Sequence, residues 1–304
     1  MKVKLYVISL ILLLALCFQF PVFSSYFESV FITDPTTGEV ATVSNYGTLY
    51  TGDFMTEVAK GNIAGHSVIN KFGKNPASGD NEDLWAGSSL YSYYPTTAEA
   101  ITVVSDDGDD TSGDTGARTV VIQGLDANWD EQISDAMVMN GASAVNVTID
   151  GGSASTWIRV FRASVETAGS SKSNEGIITV AGATGTGAII DEGKGQTQQC
   201  IYTIPNGKTG YFIKGYVAVS DDSKDGDVAE FEWQSRSNVT ANGAWQVKGD
   251  MACNSLGSGT WQYRYGIPVG GIPAKTDIKI YIPNTTAVVG TVGGFDMLLV
   301  EDGY

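Results

Sequence analysis

The chain has 304 residues, enough for one large domain or two ordinary ones of about 100–200 residues each. Hydrophobic residues make up 42% and charged residues 17%, so a real core can form and global disorder is excluded. Acids outnumber bases 34 to 18, and the net charge of −16 repels phosphate backbones, which argues against nucleic acid as a partner.

Residues 1–25 read as a signal-like or anchor segment. Lys2 and Lys4 form a basic start, Leu5 to Phe18 an apolar run, and Val22 and Ser24 suit cleavage after Ser24. Leu16 is too large for Cys17 to be a lipobox cysteine. An uncleaved anchor and an upstream extension are the other readings, and any membrane contact is expected only through this segment.

Residues 26–98 read as an extended arm with one short helix. Asp34-Pro35-Thr36-Thr37-Gly38 is a turn signal. Asp53 can cap a helix over Phe54–Lys60, with Gly61 past its end. The polar stretch from His66 to Leu84 reads as an extended arm or docking loop.

From Glu99 the strand signals become regular. Residues 99–175 predict a β-sandwich-like domain, with strands at Ile101–Ser105, Arg118–Gln123, Gln132–Met139, Val145–Ile149 and Trp157–Val165. Gly124 to Trp129 is its hairpin turn, and Ile133, Asp135, Met137 and Met139 are placed on one face. Residues 176–304 predict a second sandwich or jelly-roll-like domain. Its strands fall at Ile177–Val180, Ala188–Ile190, Gln198–Thr203, Thr209–Ser220, Val228–Ser235, Trp245–Met251, Trp261–Ile267, Thr276–Pro283 and Gly293–Glu301. Pro205-Asn206-Gly207 and Asn242-Gly243 are turn signals between them. The predicted fold class is therefore mainly β: two sandwich or jelly-roll-like units after an extended N-terminal arm with one short helix.

Catalytic signals are sparse. His66 is the sole histidine and has no nearby cysteine or GxSxG elbow. One histidine does not supply a His-rich zinc site, and no phosphate-binding GxxxxGK[ST] occurs. The sharpest motif is DDSKDGDVAEFE. Asp221, Ser223, Asp225, Asp227 and Glu232 take the ligand positions of a calcium loop, with Gly226 at the turn. The flanking patterns are strands, where an EF-hand needs helices, so an acidic hairpin is the preferred reading and Ca²⁺ the alternative. Asp106, Asp107, Asp109 and Asp110 form a second acidic loop, which is either solvated or holds a cation.

Trp233, Trp245, Trp261, Tyr263 and Tyr265 can be read as a glycan-stacking platform, although aromatic residues in strands more often face a core or interface. Cys200 and Cys253 read as thiols, with pairing left open. Asn146, Asn238 and Asn284 open glycosylation sequons, relevant only in a glycosylating host.

Several ordered motifs share one likeness. GNIAGHSVINKFGKNP (Gly61–Pro76), TGARTVVIQGLDANWDEQISDAMVMNG (Thr115–Gly141) and WIRVFRASVETAG (Trp157–Gly169) resemble a family of tailed-phage virion structural proteins of marine type. QCIYTIPNGKTGYFIKGYVAVS (Gln199–Ser220), GGFDMLLVEDG (Gly293–Gly303) and ITDPTTGEVATVS (Ile32–Ser44) fit the same pattern. The resemblance implies a non-enzymatic virion component, as capsid decoration or another outer-surface part, whose partners are other virion proteins or copies of itself. On that reading Gly61, His66, Lys71, Phe72, Asn75 and Pro76 belong to a docking arm. The N-terminal segment departs from the pattern, because virion proteins assembled in a bacterial cytoplasm need no export.

The alternatives are a secreted or surface-attached glycan-binding adhesin and a secreted β-sandwich hydrolase. The adhesin requires exposed Trp233, Trp245 and Trp261. The hydrolase requires two carboxylates in one cleft, about 5–9.5 Å apart.

Overall fold

A computed structural model describes residues 54–219, 226–239, 243–254 and 271–304, and the backbone alone of 258–262. The readings placed on residues 1–53, on Asp221, Ser223 and Asp225, on the Trp261 side chain and on Tyr263 and Tyr265 lie outside these residues.

The described chain is mainly β with one short helix, α1 (Phe54–Ala59). The helix stops where Gly61 turns to φ +76° and its N–H donates to the Val58 carbonyl at 2.9 Å. That backbone region favours glycine because it has no Cβ to clash.

The strands, in chain order, begin with β1 (His66–Ser78), β2 (Glu82–Asp83), β3 (Ile101–Ser105), β4 (Ala117–Leu125), β5 (Glu131–Ile133) and β6 (Met137–Val138). Next come β7 (Val145–Asn146), β8 (Thr148–Ile149), β9 (Ser153–Ala154), β10 (Arg159–Ala168), β11 (Ile178–Gly182) and β12 (Gly185–Ile190). The last are β13 (Ile201–Thr203), β14 (Lys208–Val219), β15 (Val228–Ser237), β16 (Gln246–Asn254), β17 (Ser258–Gln262), β18 (Thr276–Ile282) and β19 (Val289–Glu301).

Two hydrophobic cores organise these strands. In the first, the sheet β12-β11-β3-β7 supplies Ile101, Val103, Ile178, Val180, Ala188 and Ile190. The sheet β10-β4-β5, with β6 also on β4, supplies Val120, Ile122, Met137, Val160 and Ala163. Trp157 is fully buried in this core, and its indole N–H donates to Ser155 Oγ at 2.9 Å. In the second, the sheet β1-β19-β14-β17 contributes Phe212, Val217, Phe295, Met297 and Leu299. The sheet β13-β18-β15-β16, with β2 on β18, contributes Phe231, Trp233, Cys253, Ile278, Ile280 and Ile282. Apolar residues alternate along these strands because successive side chains face opposite sides of a sheet. Each fully buried Ile, Leu, Met or Phe stabilises by about 1.5–3 kcal/mol.

The expected boundaries shift. The sequence pattern places β11 and β12 in the 176–304 domain, but β11 pairs with β3 and both belong to the first core. The stretch from His66 was assigned to a separate arm, but β1 pairs antiparallel with β19 from His66↔Val300 to Ser78↔Val289. Leu84, Leu125, Ile158 and Phe161 enter the second core and Ile201 enters the first, so Val58–Tyr304 is one compact unit.

Other details also differ. The Pro205-Asn206-Gly207 turn lies between β13 and β14 as expected, and because those strands lie in different sheets it is a corner between sheets. Ile133 is 58% exposed while Met137 and Met139 are buried, because the predicted strand breaks between β5 and β6 and loses its common face. The Gly124–Trp129 turn does close the β4–β5 hairpin. Asp126 Oδ1 accepts from the N–H groups of Asn128 (2.8 Å) and Asp130 (2.9 Å).

Candidate functional site

Strand β1 lies at an edge of its sheet and carries most of the predicted docking residues. Its alternation divides them. Lys71 and Asn75 face inward and are buried, whereas Val68, Asn70 and Phe72 lie on the outer face. Asn75 serves the fold: its Nδ2 donates to Glu82 Oε2 at 2.8 Å and its Oδ1 accepts from the Ala77 N–H at 3.1 Å. Pro76 sits where the register with β19 shifts, a position that tolerates a missing N–H. The His66 Nδ1 bonds the Ala64 carbonyl at 2.8 Å, and its ring meets Tyr304 edge-on.

The outer face is built from three cross-strand rows. Phe72, Gly294 and Tyr216 form one, and Asn70, Asp296 and Lys214 the next. Val68, Leu298 and Tyr211 form the third. The middle row is polar and closed: Asn70 Nδ2 donates to Asp296 Oδ1 at 2.6 Å, and Lys214 Nζ pairs with Asp296 Oδ2 at 3.2 Å. The rows on either side are apolar. Tyr216 is 44% exposed and Val68 38% exposed. Gly294 makes room for this arrangement, since a Cβ there would meet the Tyr216 ring at 2.8 Å. Sequence reasoning found the strands but missed this surface, because its rows come from segments more than 200 positions apart.

The inward side of β1 borders a cleft of about 460 Å³. Val68–Lys71 line one wall, with Gln123 and Gly124 of β4, Glu131–Ile133 of β5, Phe161 and Arg162 of β10, and Tyr202. Lys71 is 4% exposed, and its Nζ donates to the Phe161 carbonyl at 2.5 Å. Burial first, then the neighbouring Arg162 charge, lowers its pKa to about 7. Arg162 Nη2 donates to the Asn70 carbonyl at 3.0 Å, and burial lowers its pKa too. Neither cation is in an ion pair among the described residues. Glu131, the one carboxylate lining the cleft, pairs with Lys208 at 2.6 Å.

A second group of buried cations lies on the opposite face of β18 from the apolar Ile278, Ile280 and Ile282. Arg159 holds Asp277 with two bonds, Nε to Oδ1 at 2.8 Å and Nη2 to Oδ2 at 3.0 Å. Arg236 Nη2 reaches Asp277 Oδ2 at 2.6 Å, and Thr203 Oγ1 donates to Oδ1 at 2.7 Å. Burial alone would raise the Asp277 pKa, but Arg159 and Arg236 bring it below the ordinary carboxyl value. Lys279 pairs with Asp83 at 2.7 Å, and Asp83 Oδ2 also accepts the Tyr91 N–H at 2.9 Å. Burial opposes charge on both partners, raising the Asp83 pKa and lowering that of Lys279. Aromatic faces complete the enclosure: Arg159 lies over Trp129 (4.7 Å), Arg236 over Tyr94 (4.3 Å) and Lys279 over Trp245 (4.6 Å).

The acidic loop at Asp106–Asp110 is held by protein donors. Asp110 is fully buried and accepts from Ser105 Oγ and from the N–H groups of Ala117, Glu175 and Gly176, at 2.6–3.0 Å. Asp106 Oδ1 accepts the Ile177 N–H at 2.7 Å, and Asp107 Oδ1 accepts the Asp109 N–H at 2.8 Å. Among the described residues no group of three or more His, Cys, Asp or Glu is placed to hold a metal ion.

Of the calcium-loop candidates, Asp227 precedes β15 and Glu232 lies within it, its carboxylate accepting from Gln234 Nε2 at 2.6 Å. Trp233 is 7% exposed and packs on Phe212, and Trp245 is half-buried over cations, so these two tryptophans do not form an open platform. Cys200 and Cys253 are buried thiols, directed at the Gly293 and Val217 carbonyls. No helix among the described residues is long and apolar enough to cross a membrane.

No family model and no curated protein matches the chain. Among solved structures, the N-terminal CBM22-1–CBM22-2 tandem domain of Xyn10C from Paenibacillus barcinonensis aligns at 10% identity and TM-score 0.23. That alignment covers 79% of this chain and 94% of the other. A structure of infectious bursal disease virus, Gt strain, aligns at 10% identity and TM-score 0.22, over 78% of this chain and 73% of the other. At those scores neither alignment carries an argument about this chain.

Proposed function

We propose that this chain is a non-enzymatic structural protein of a virion, docked on a neighbouring virion protein through the outer face of the β1-β19-β14 sheet. The supporting observation is the pair of apolar rows, Val68–Leu298–Tyr211 and Phe72–Gly294–Tyr216, in which Val68 and Tyr216 are exposed, around one closed polar row. Apolar surface framed by polar groups is the usual composition of an interaction site. The resemblance of the ordered motifs to tailed-phage virion proteins supplies the compartment. Inward-facing Lys71 and Asn75 drop out of the docking set, and Val68 and Tyr216 enter it.

Deleting the arm is not a fair test, since it would remove β1 from the second core. Val68→Glu with Tyr216→Glu leaves the strand in place and puts charge on the surface. In virus particles purified from cells carrying the gene, mass spectrometry should recover wild-type peptides in stoichiometric amount and lose them for the double variant. Wild-type protein absent from particles, or undiminished incorporation of a folded variant, would count against the proposal.

A further inference from the structure

The cleft beside β1 presents a chemical imbalance. In a chain with a net charge of −16, two adjacent cations, Lys71 and Arg162, face it with no carboxylate of their own. Among the described residues their hydrogen bonds go to backbone carbonyls, those of Phe161 and Asn70. The ammonium has three donors and the guanidinium five, so most of their capacity is unspent. A buried ammonium beside the half-exposed Arg162 guanidinium is costly unless an anion joins them. We infer that the cleft is a binding site for a small carboxylate-bearing, hydroxylated ligand of the acidic-sugar class, with its carboxylate held between Lys71 and Arg162.

The class follows from the lining. A guanidinium fork matches a carboxylate with two parallel bonds. Gln123 and Gln132 supply amides suited to hydroxyl groups, although Gln132 Nε2 also donates to the Thr156 carbonyl at 2.8 Å, and Ile69, Ile133 and Phe161 supply apolar wall. A volume of about 460 Å³ lies within the range of small-ligand sites, roughly 300–1,000 Å³. The inference rests on Lys71 and Arg162 and not on the docking rows, although Val68 and Asn70 border both surfaces.

Binding an anion favours protonated Lys71, so affinity should rise as pH falls through about 7, the lowered value of its ammonium. The groups acting on Lys71 are Arg162 from β10 and the Cys200 thiol ahead of β13, and Glu131 and Tyr202 are the other titratable groups on the cleft wall. Burial, and then Glu131, keep the Tyr202 hydroxyl protonated, and burial does the same for Cys200, so neither changes charge in this range.

The test titrates the full chain with D-glucuronate and, separately, with D-glucose, by calorimetry at pH 6 and pH 8. Glucuronate should bind tenfold or more tightly than glucose, and more tightly at pH 6 than at pH 8. Arg162→Gln and Lys71→Met should each weaken it by about tenfold, the cost of one charge-assisted contact. Near-ultraviolet circular dichroism checks the fold of both variants. If Lys71→Met does not fold, the half-exposed Arg162→Gln decides. Equal binding of glucose and glucuronate, no saturable glucuronate binding, or wild-type affinity in folded variants would overturn the inference.

Discussion

Two clusters of cations among the described residues are treated differently. Beneath β18, Arg159, Arg236 and Lys279 meet Asp277 and Asp83 and lie on aromatic faces. Beside β1, Lys71 and Arg162 meet backbone carbonyls and open space. The first group has internal counter-ions, whereas Lys71 and Arg162 have none among the described residues. Burial depth alone does not separate the two cases, since Lys71 and Lys279 are both almost fully buried. The difference lies in which strands converge: β18 brings an acid to the arginine of β10, while β1 brings a second base.

The largest effect should come from orphaning the paired group. Asp277→Asn leaves Arg159 buried without its counter-ion, and breaking such a pair costs about 3–5 kcal/mol. Urea unfolding should show that loss at neutral pH. The depressed Asp277 pKa adds a pH signature. Its contribution is full above the ordinary carboxyl value of 3.8 and is lost as pH falls through the lower folded value. The wild-type advantage over Asp277→Asn should therefore shrink in acid. A variant as stable as wild type at neutral pH would remove the distinction between the two cation sites.

Asp110→Asn should cost less, about 2–3 kcal/mol, because the amide keeps one acceptor oxygen and loses the charge that strengthens four bonds. The measurement is again urea unfolding, and the loss should be unchanged by added Ca²⁺. Rescue by Ca²⁺ would show that this loop holds a cation and not only backbone donors. Val68→Ser should be smallest, within about 0.5 kcal/mol, since an exposed side chain contributes little to folding. A larger loss in thermal unfolding would mean that the outer face already packs within the chain.

Much of the fold was legible because the strands that face a core alternate. Ile101–Ser105, Thr209–Ser220 and Thr276–Pro283 correspond closely to β3, β14 and β18. The pairing of strand β1 was hidden by its polar composition: Lys71 and Asn75 hold positions where a sheet usually buries apolar residues, so the stretch reads as an extended arm or docking loop. The site was less legible still. Arg159 and Arg162 stand three apart on one strand, which alternation alone would put on opposite faces, and a register shift between Val160 and Arg162 interrupts that alternation. Asp277, 118 positions beyond Arg159, supplies a partner to Arg159 alone. The folded register makes that distinction, and nothing local to either arginine announces it. The docking rows were missed for the same reason, since each needs β1, β19 and β14 together.

The contrast between the two cation sites is tested most directly by stability against pH for wild type and Lys71→Met. Unfolding returns Lys71 to its ordinary pKa of 10.5, while the folded value is about 7. Between those values the unfolded chain binds the extra proton, so wild-type stability should gain up to about 1.4 kcal/mol per pH unit relative to the variant. Below pH 7 the difference should level off, with the protonated, uncompensated ammonium a constant penalty. Curves that diverge in this way show that burial outweighs the compensation Lys71 receives in the fold. Curves that stay parallel from pH 6 to pH 10 would mean that Lys71 is already compensated, and the distinction between the two sites would fail.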